Sequence, residues 1–408
     1  MQQRLSSKKN CTILVLIVAF TLCFGLIILC LPGATEVTSQ DVFLSGRYGP
    51  IWLDISHIIM ACTGGNAALT LAGLRWLALL THVANALLLW SILPKIRLQR
   101  RIAGTVLYAW NPVVLLIGIT YIHTELITVF FILLTLLFLQ RDALLAAWIF
   151  IVLAALINPF CLLILPLFLR LIVKRAHYGH THDPRRLWLS MVITALFLLL
   201  VAYGPYWQAW GISGFMASLE TTFIPHNALA SLDAAMLALP RLLPLSPFML
   251  WLIVPQHWST YALVLVGLFL LFSLWFINNL ELTLLCSCWV CLLLLLLTPI
   301  YCPWYTILPL TLALCTRNKH TFRLTVLLQV AALFSYYCDL WHASWAGQGL
   351  VAVLLPFLIW GWLLFFSATW QIAQMAQANE KPSRGRWSRL SEFSRPPWLS
   401  RPPRPQRY

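Results

Sequence analysis

Apolar runs of about 20 residues recur along this 408-residue chain, from Thr12–Pro32 to a last run over 350–370. That is the length a helix needs to cross about 30 Å of hydrocarbon. The runs do not alternate polar and apolar residues, as the strands of a transmembrane barrel do. Charged residues make up only 10% of the chain and apolar ones 61%, whereas an ordinary soluble domain carries about 25% charge to wet its surface. Lipid is therefore the solvent. The expected fold is all-α: a polytopic integral membrane protein with about 12 transmembrane helices and further helices lying on its outer face.

The runs predict spans at 12–32, 67–93, 103–122, 125–140, 143–157, 160–174, 188–206, 260–277, 281–299, 305–316, 324–341 and 350–370. The first is too long for a signal-peptide core and lacks a small-residue cleavage site, so it reads as a retained span. Cytoplasmic loops are enriched in Lys and Arg, and Arg4, Lys8 and Lys9 put the N-terminus inside. Alternating sides from there places 24 of the 27 basic residues in the cytoplasm, leaving Arg47 and Arg241 outside and Arg75 within a span. An even number of crossings puts the C-terminus inside as well. Residues 1–370 read as one membrane domain. The Pro- and Arg-rich tail 371–408 cannot bury a core and is expected to be disordered near anionic lipid heads.

A net charge of +15 raises the question of nucleic acid. Such binding needs the basic residues on one folded surface, and here they separate apolar runs, so no nucleic-acid partner is expected. The 11 cysteines lie mostly inside apolar runs, including Cys286, Cys288 and Cys291. There they behave as small hydrophobes, and no disulfide or zinc spacing is visible.

The acidic residues have the opposite bias. Glu36, Asp41, Asp54, Glu125, Glu220, Asp233 and Asp339 all fall at or beyond outer span ends. Ionisable groups at a membrane boundary are costly and carry a functional hypothesis, although each one can also be a merely solvated interfacial carboxylate. Two long segments share that face. One is 33–66, whose apolar Ile51–Met60 is too short to span and suits a helix lying in the interface; the other is 207–259, rich in Pro, Trp and His.

Three outer segments carry the chemistry. TSQDVFLSGRYGPIWLDISH sets Asp41 just past the first span, then Arg47, Tyr48, the Gly49–Pro50 turn and Trp52. A carboxylate here can serve as general base toward a sugar hydroxyl, and a guanidinium matches phosphate bidentately; a loop aspartate and an interfacial aromatic belt explain the same residues. In LYAWNPVVLLIGITYIHTELITVFF, Asn111–Pro112 interrupts a helix, and His123 and Glu125 fall in a tight outer turn. A turn capped by Thr124 with a solvated histidine is the plainer reading. In LLTPIYCPWYTILPL, three prolines break a helix pair while Tyr301, Trp304 and Tyr305 gather at the interface. Aromatic faces stack on sugar rings, and they also form ordinary interface belts.

Taken in order, these segments resemble the GT-C superfamily of membrane glycosyltransferases, and within it the bacterial polyprenol-phosphate-mannose-dependent mannosyltransferases. The resemblance rests on Asp41-Val42-Phe43, Tyr48-Gly49-Pro50-Ile51-Trp52, Trp110-Asn111-Pro112-Val113-Val114, His123-Thr124-Glu125 and Pro303-Trp304-Tyr305, across about residues 1–315. It implies inverting transfer of a hexose, mannose first, from a polyprenyl-phosphate donor to a glycan or lipid acceptor on the extracytoplasmic face. In that picture Asp41 is the general base and Glu125 a second catalytic carboxylate. Arg47, Tyr48, Trp52, Asn111, His123, Arg241, Trp304 and Tyr305 then bind substrate. No cofactor is implied; assistance by a divalent metal ion is left open. The chain departs from the family pattern where His-Asn-Asp becomes His123-Thr124-Glu125 and where Asn158 takes the place of a lysine.

Two other classes fit the composition. A transporter or flippase of lipid-linked sugars places ionisable groups near mid-membrane at broken helices, yet here Arg75 alone lies within a span and the carboxylates gather outside. A non-catalytic membrane scaffold would leave those carboxylates dispensable. An echo, YGPIW at 48–52 and YGPYW at 203–207, falls at two outer span ends and reads as interface chemistry.

Overall fold

The computed structural model describes residues 2–29, 49–94, 98–178, 183–223, 231–238, 246–252, 254–340 and 348–380. Among these the chain is helical throughout, with no strand. Residues 1–358 form one compact unit and residues 359–408 another.

Among the described residues, seven helices are long and apolar enough to cross a bilayer: Asn10–Leu29, Ala67–Ile92, Leu98–Ile119, Pro184–Tyr206, His257–Phe276, Leu280–Leu297 and Leu350–Ser367. All seven coincide with expected spans. The other five expected spans also form helices. Glu125–Gln140, Leu144–Ile157, Leu165–Tyr178 and Ile307–Cys315 are short, and Lys319–Leu340 is long but more polar. At 1.5 Å per residue, the 16 residues of Glu125–Gln140 rise about 24 Å, less than the hydrocarbon thickness. Helix length thus accounts for seven crossings, not twelve. The short helices are sheathed by protein: Leu126, Val129, Ile132 and Leu133 of one and Ala147, Ile151 and Ile157 of the next are fully buried, and those two helices pack on each other. The long ones keep lipid-type surfaces, with Leu196, Phe197, Leu200, Leu271, Phe272 and Trp275 exposed.

Ile51–Met60 lies within a helix, Pro50–Cys62. Proline suits its first turn, where an amide donor has no intrahelical acceptor. Gly49 before it donates its N–H to Ile157 O at 2.9 Å. A Cβ at Gly49 would sit 1.9 Å from Leu156 O, so only glycine lets the two backbones approach. This fastens the start of the helix to the end of Leu144–Ile157. Trp52 then closes an apolar cluster with Leu74, Ile127 and Ile157, with half-buried Ile122 against it.

Candidate active site

The helix Leu98–Ala109 stops at Trp110–Asn111–Pro112. Asn111 Oδ1 accepts from Val113 N at 2.8 Å and Val114 N at 3.4 Å, capping the next segment. The chain resumes as a π-helix, Val113–Ile119, a wide-turned form that concentrates at functional sites. Arg75 Nε donates to Thr120 O at its exit, 3.2 Å away. Ile122 then takes φ +57°. That left-handed conformation is a real outlier for a β-branched residue and costs about 1–3 kcal/mol unless the surroundings impose it. It reverses the chain within one turn. His123 N closes the turn onto Gly118 O at 3.2 Å, and Glu125 begins the helix Glu125–Gln140.

This turn is buried. His123 is 9% exposed and Glu125 4%, and neither His123 Nε2 nor Glu125 Oε2 has a hydrogen-bond partner among the described residues. Burial without a compensating charge pulls the imidazole pKa down to about 3, so the ring is neutral at physiological pH. Glu125 stands at a helix N-terminus, whose dipole favours negative charge. The His123 ring lies flat on Trp304, with centroids 3.7 Å apart and planes 16° from parallel. Trp304 comes from a 3₁₀ turn, Pro303–Thr306. Thr306 Oγ1 braces that turn by donating to Pro303 O at 2.7 Å, and Gln329 Nε2 braces it by donating to Thr306 O at 2.7 Å. Tyr305 stands edge-on to Trp304 at 6.1 Å and to Phe160 at 5.5 Å. Phe160 follows Asn158, whose Oδ1 accepts the Phe160 N–H at 3.1 Å. The Cys161 thiol is within electrostatic range of Glu125.

Segments far apart in sequence therefore meet. Gly49 lies against Leu156 and Ile157, Trp52 packs with Ile127 and Ile157, and His123 stacks on Trp304. Of the expected site residues, His123, Glu125, Trp304 and Tyr305 converge. Trp52 and Asn111 are buried near them as packing and capping residues. Asp41, Arg47, Tyr48 and Arg241 lie outside the described residues. Among the described residues no three His, Cys, Asp or Glu side chains gather as a metal-binding set.

Two further residues carried no assigned role in the sequence. Tyr206, from the second YGPxW echo, donates to Asp54 Oδ1 at 2.8 Å and lies 3.4 Å from His57 Nδ1. The echo thus ties together the two segments that contain it. Asp233 is completely buried with neither carboxylate oxygen bonded among the described residues, and burial raises its pKa to about 7. Its helix, Leu232–Ala238, is anchored where Ser231 Oγ donates to Pro299 O at 2.5 Å.

A helical bundle thus carries carboxylate, imidazole and stacked aromatic groups at one end. Residues 44–174, about a third of the chain, match the family described as alpha-(1->6)-mannopyranosyltransferase, N-terminal domain, a GT-C mannosyltransferase family. The match contains YGPIW, WNPVV and His123-Thr124-Glu125, so the resemblance drawn from those motifs holds there; Asp41-Val42-Phe43 and Pro303-Trp304-Tyr305 lie outside it. A search of curated proteins finds no match to the chain.

Proposed function

We propose that this chain transfers a mannosyl residue from a polyprenyl-phosphate donor to a glycan or lipid acceptor at the extracytoplasmic face of the membrane. The observation that carries this reading is the buried, unpartnered Glu125 carboxylate oxygen, which lies inside the segment matching a mannosyltransferase family and two residues from the His123 ring that stacks on Trp304. Burial of that kind costs about 1–3 kcal/mol, more for a charged group, and a substrate hydroxyl would offset it.

In the proposed reaction the acceptor oxygen attacks the anomeric carbon. Asp41 takes the hydroxyl proton as the C–O bond forms, and the bond to phosphate breaks to release polyprenyl phosphate. The matched family is named for an α linkage; inversion giving that product requires a β-linked donor. Arg47 and Arg241 hold the donor phosphate, as guanidinium geometry allows. Trp304 and Tyr305 present aromatic faces to the sugar, and Tyr48 also binds the substrate. Glu125 accepts from sugar hydroxyls and offsets positive charge developing at the anomeric carbon. His123 Nε2, neutral, exchanges one hydrogen bond with the substrate. Trp52 and Asn111 hold this frame from behind. The N- and C-termini and the tail 371–408 are on the cytoplasmic side.

The test uses purified full-length protein in detergent with radiolabelled polyprenyl-phosphate mannose and α-mannoside acceptors. Labelled α-linked product, formed with no sealed compartment present, is the expected result. Failure with the mannosyl, glucosyl and arabinosyl donors alike would reject the transferase reading.

A further inference from the structure

The opposite end of the bundle holds a cavity of about 210 Å³ whose lining includes Arg100, Arg317, Gln140, Glu281, Leu136 and Leu284. That is far above the about 10–15 Å³ that one water requires. Gln140 ends the helix that Glu125 begins, so the cavity lies about 22 Å from the candidate active site along that axis at 1.5 Å per residue. It is walled where the helices Ala67–Ile92, Glu125–Gln140 and Ile307–Cys315 end and where Leu98–Ala109 and Leu280–Leu297 begin.

The basic residues here share one arrangement. Arg101 Nε donates to Trp90 O at 2.5 Å, and its guanidinium stacks 4.1 Å over the Trp90 ring. Arg175 Nη1 donates to Leu139 O at 2.5 Å, and Arg100 Nη2 donates to Thr316 O. Each guanidinium thus sits on a carbonyl at the end of a different helix. A helix C-terminus carries only about half a negative charge, so every such cap leaves about half a positive charge over. Among the described residues none of Arg100, Arg101, Arg175 and Arg317 forms an ion pair with a carboxylate; the pair found among them joins Arg186 to Asp183, elsewhere. Arg317 offers its whole side chain. Glu281, the carboxylate in the lining, already accepts the Arg317 backbone N–H. Arg100 and Arg317 face the single carboxylate of Glu281 in the lining, so the cavity wall, set between helix ends, is left with a positive excess. Basic pockets in that position take phosphate head groups.

The geometry points to a second binding site, one for a phosphate group, in the cavity bounded by Arg100 and Arg317. It is separate from the site that would hold the sugar donor. Arg100 and Arg317 contact the phosphate oxygens, Gln140 borders them, and Leu136 and Leu284 receive the apolar part of a phosphate ester.

The experiment measures binding to full-length wild-type protein in detergent by native mass spectrometry and by thermal unfolding. The probes are short-chain phosphatidylglycerol, short-chain phosphatidylcholine and inorganic phosphate. Phosphatidylglycerol should bind and raise the unfolding midpoint, and Arg317→Gln should weaken that binding about tenfold. Among the described residues the Arg317 side chain makes no hydrogen bond or ion pair, so this variant tests binding without threatening the fold. Arg323→Gln, at the same end but outside the lining, should change binding less than twofold. Equal protection by inorganic phosphate would identify a free anion as the ligand; protection by phosphatidylglycerol alone would identify a lipid head group. Either result supports the site. Equal binding of phosphatidylglycerol and phosphatidylcholine with no phosphate effect, or an Arg317→Gln variant that binds like wild type, overturns it. Neither outcome bears on mannosyl transfer, which is read separately.

Discussion

The helix Glu125–Gln140 connects two ends of the molecule that treat charge in opposite ways. At its start, a carboxylate and an imidazole are buried with polar atoms unbonded. At its finish, Arg175 caps the Leu139 carbonyl and Gln140 Nε2 donates to Ile92 O at 3.2 Å. A buried polar atom without a partner is destabilising, and a satisfied one is roughly neutral or mildly favourable. The fold therefore gains from the basic end and loses at the acidic end. On the proposed function, the groups kept at that loss are the ones that bind substrate. This is why substitutions at the two ends should separate activity from stability.

The largest expected effect is on turnover. Asp41→Asn should lower mannosyl transfer by about 10³-fold, in the range attributed to a general base, and Glu125→Gln by about 10²-fold. Neither should lower the unfolding midpoint, and Glu125→Gln should raise it, since it removes a charge from a buried site. Near-normal turnover by either variant would take that residue out of the mechanism. At the basic end the pattern should invert. Arg101→Gln leaves the Trp90 carbonyl without its donor and should cost about 1–3 kcal/mol of stability, while turnover per folded molecule stays within about twofold. Denaturant titration alongside the transfer assay reads both.

The next effect is on pH dependence. His123 has a folded-state pKa of about 3 against an ordinary 6.5, so the unfolded chain binds the proton more readily. Stability linked to this residue is intact above about pH 6.5 and falls as the pH drops from there toward 3. His123→Phe preserves the stack on Trp304 and should flatten that part of the pH–stability curve. An unchanged slope would show that the ring is not held neutral by burial. The smallest effect concerns Ile122. Truncating a half-buried isoleucine normally costs about 2 kcal/mol or more, but Ile122→Gly also relieves the left-handed strain, so the net loss should stay below about 1 kcal/mol. A loss of full size would mean that the left-handed turn carries no strain.

Much of this architecture could be read in the chain because lipid imposes long-range rules on local sequence. Apolar length located the seven long helices, and Asn111–Pro112 marked the break before the candidate site. The site itself was only partly legible. His123, Glu125, Trp304 and Tyr305 were singled out by their motifs, yet the 3.7 Å stack joins residues from opposite halves of the chain, which no local pattern encodes. Trp52 is expected from the motif to bind substrate, or to sit in an interfacial belt; it is packed inside an apolar cluster, because position at a span end does not specify which way a ring faces. Asp233 was one outer carboxylate among several until burial set it apart. Ile122 could not have been anticipated, since isoleucine is among the residues least suited to a left-handed turn.

That misfit has a consequence for how the protein comes into being. Residues 113–119 do not follow ordinary helical winding and Ile122 departs from the preference of its own side chain, so nothing local would settle this stretch into shape as it emerges. It is held by Arg75 on Thr120 and by the cluster around Trp52, which joins Trp52 and Leu74 from earlier segments to Ile127 and Ile157 from later ones. The shape of this turn is thus a late event of biogenesis, available only once the neighbouring helices have closed around a stretch that cannot arrange itself.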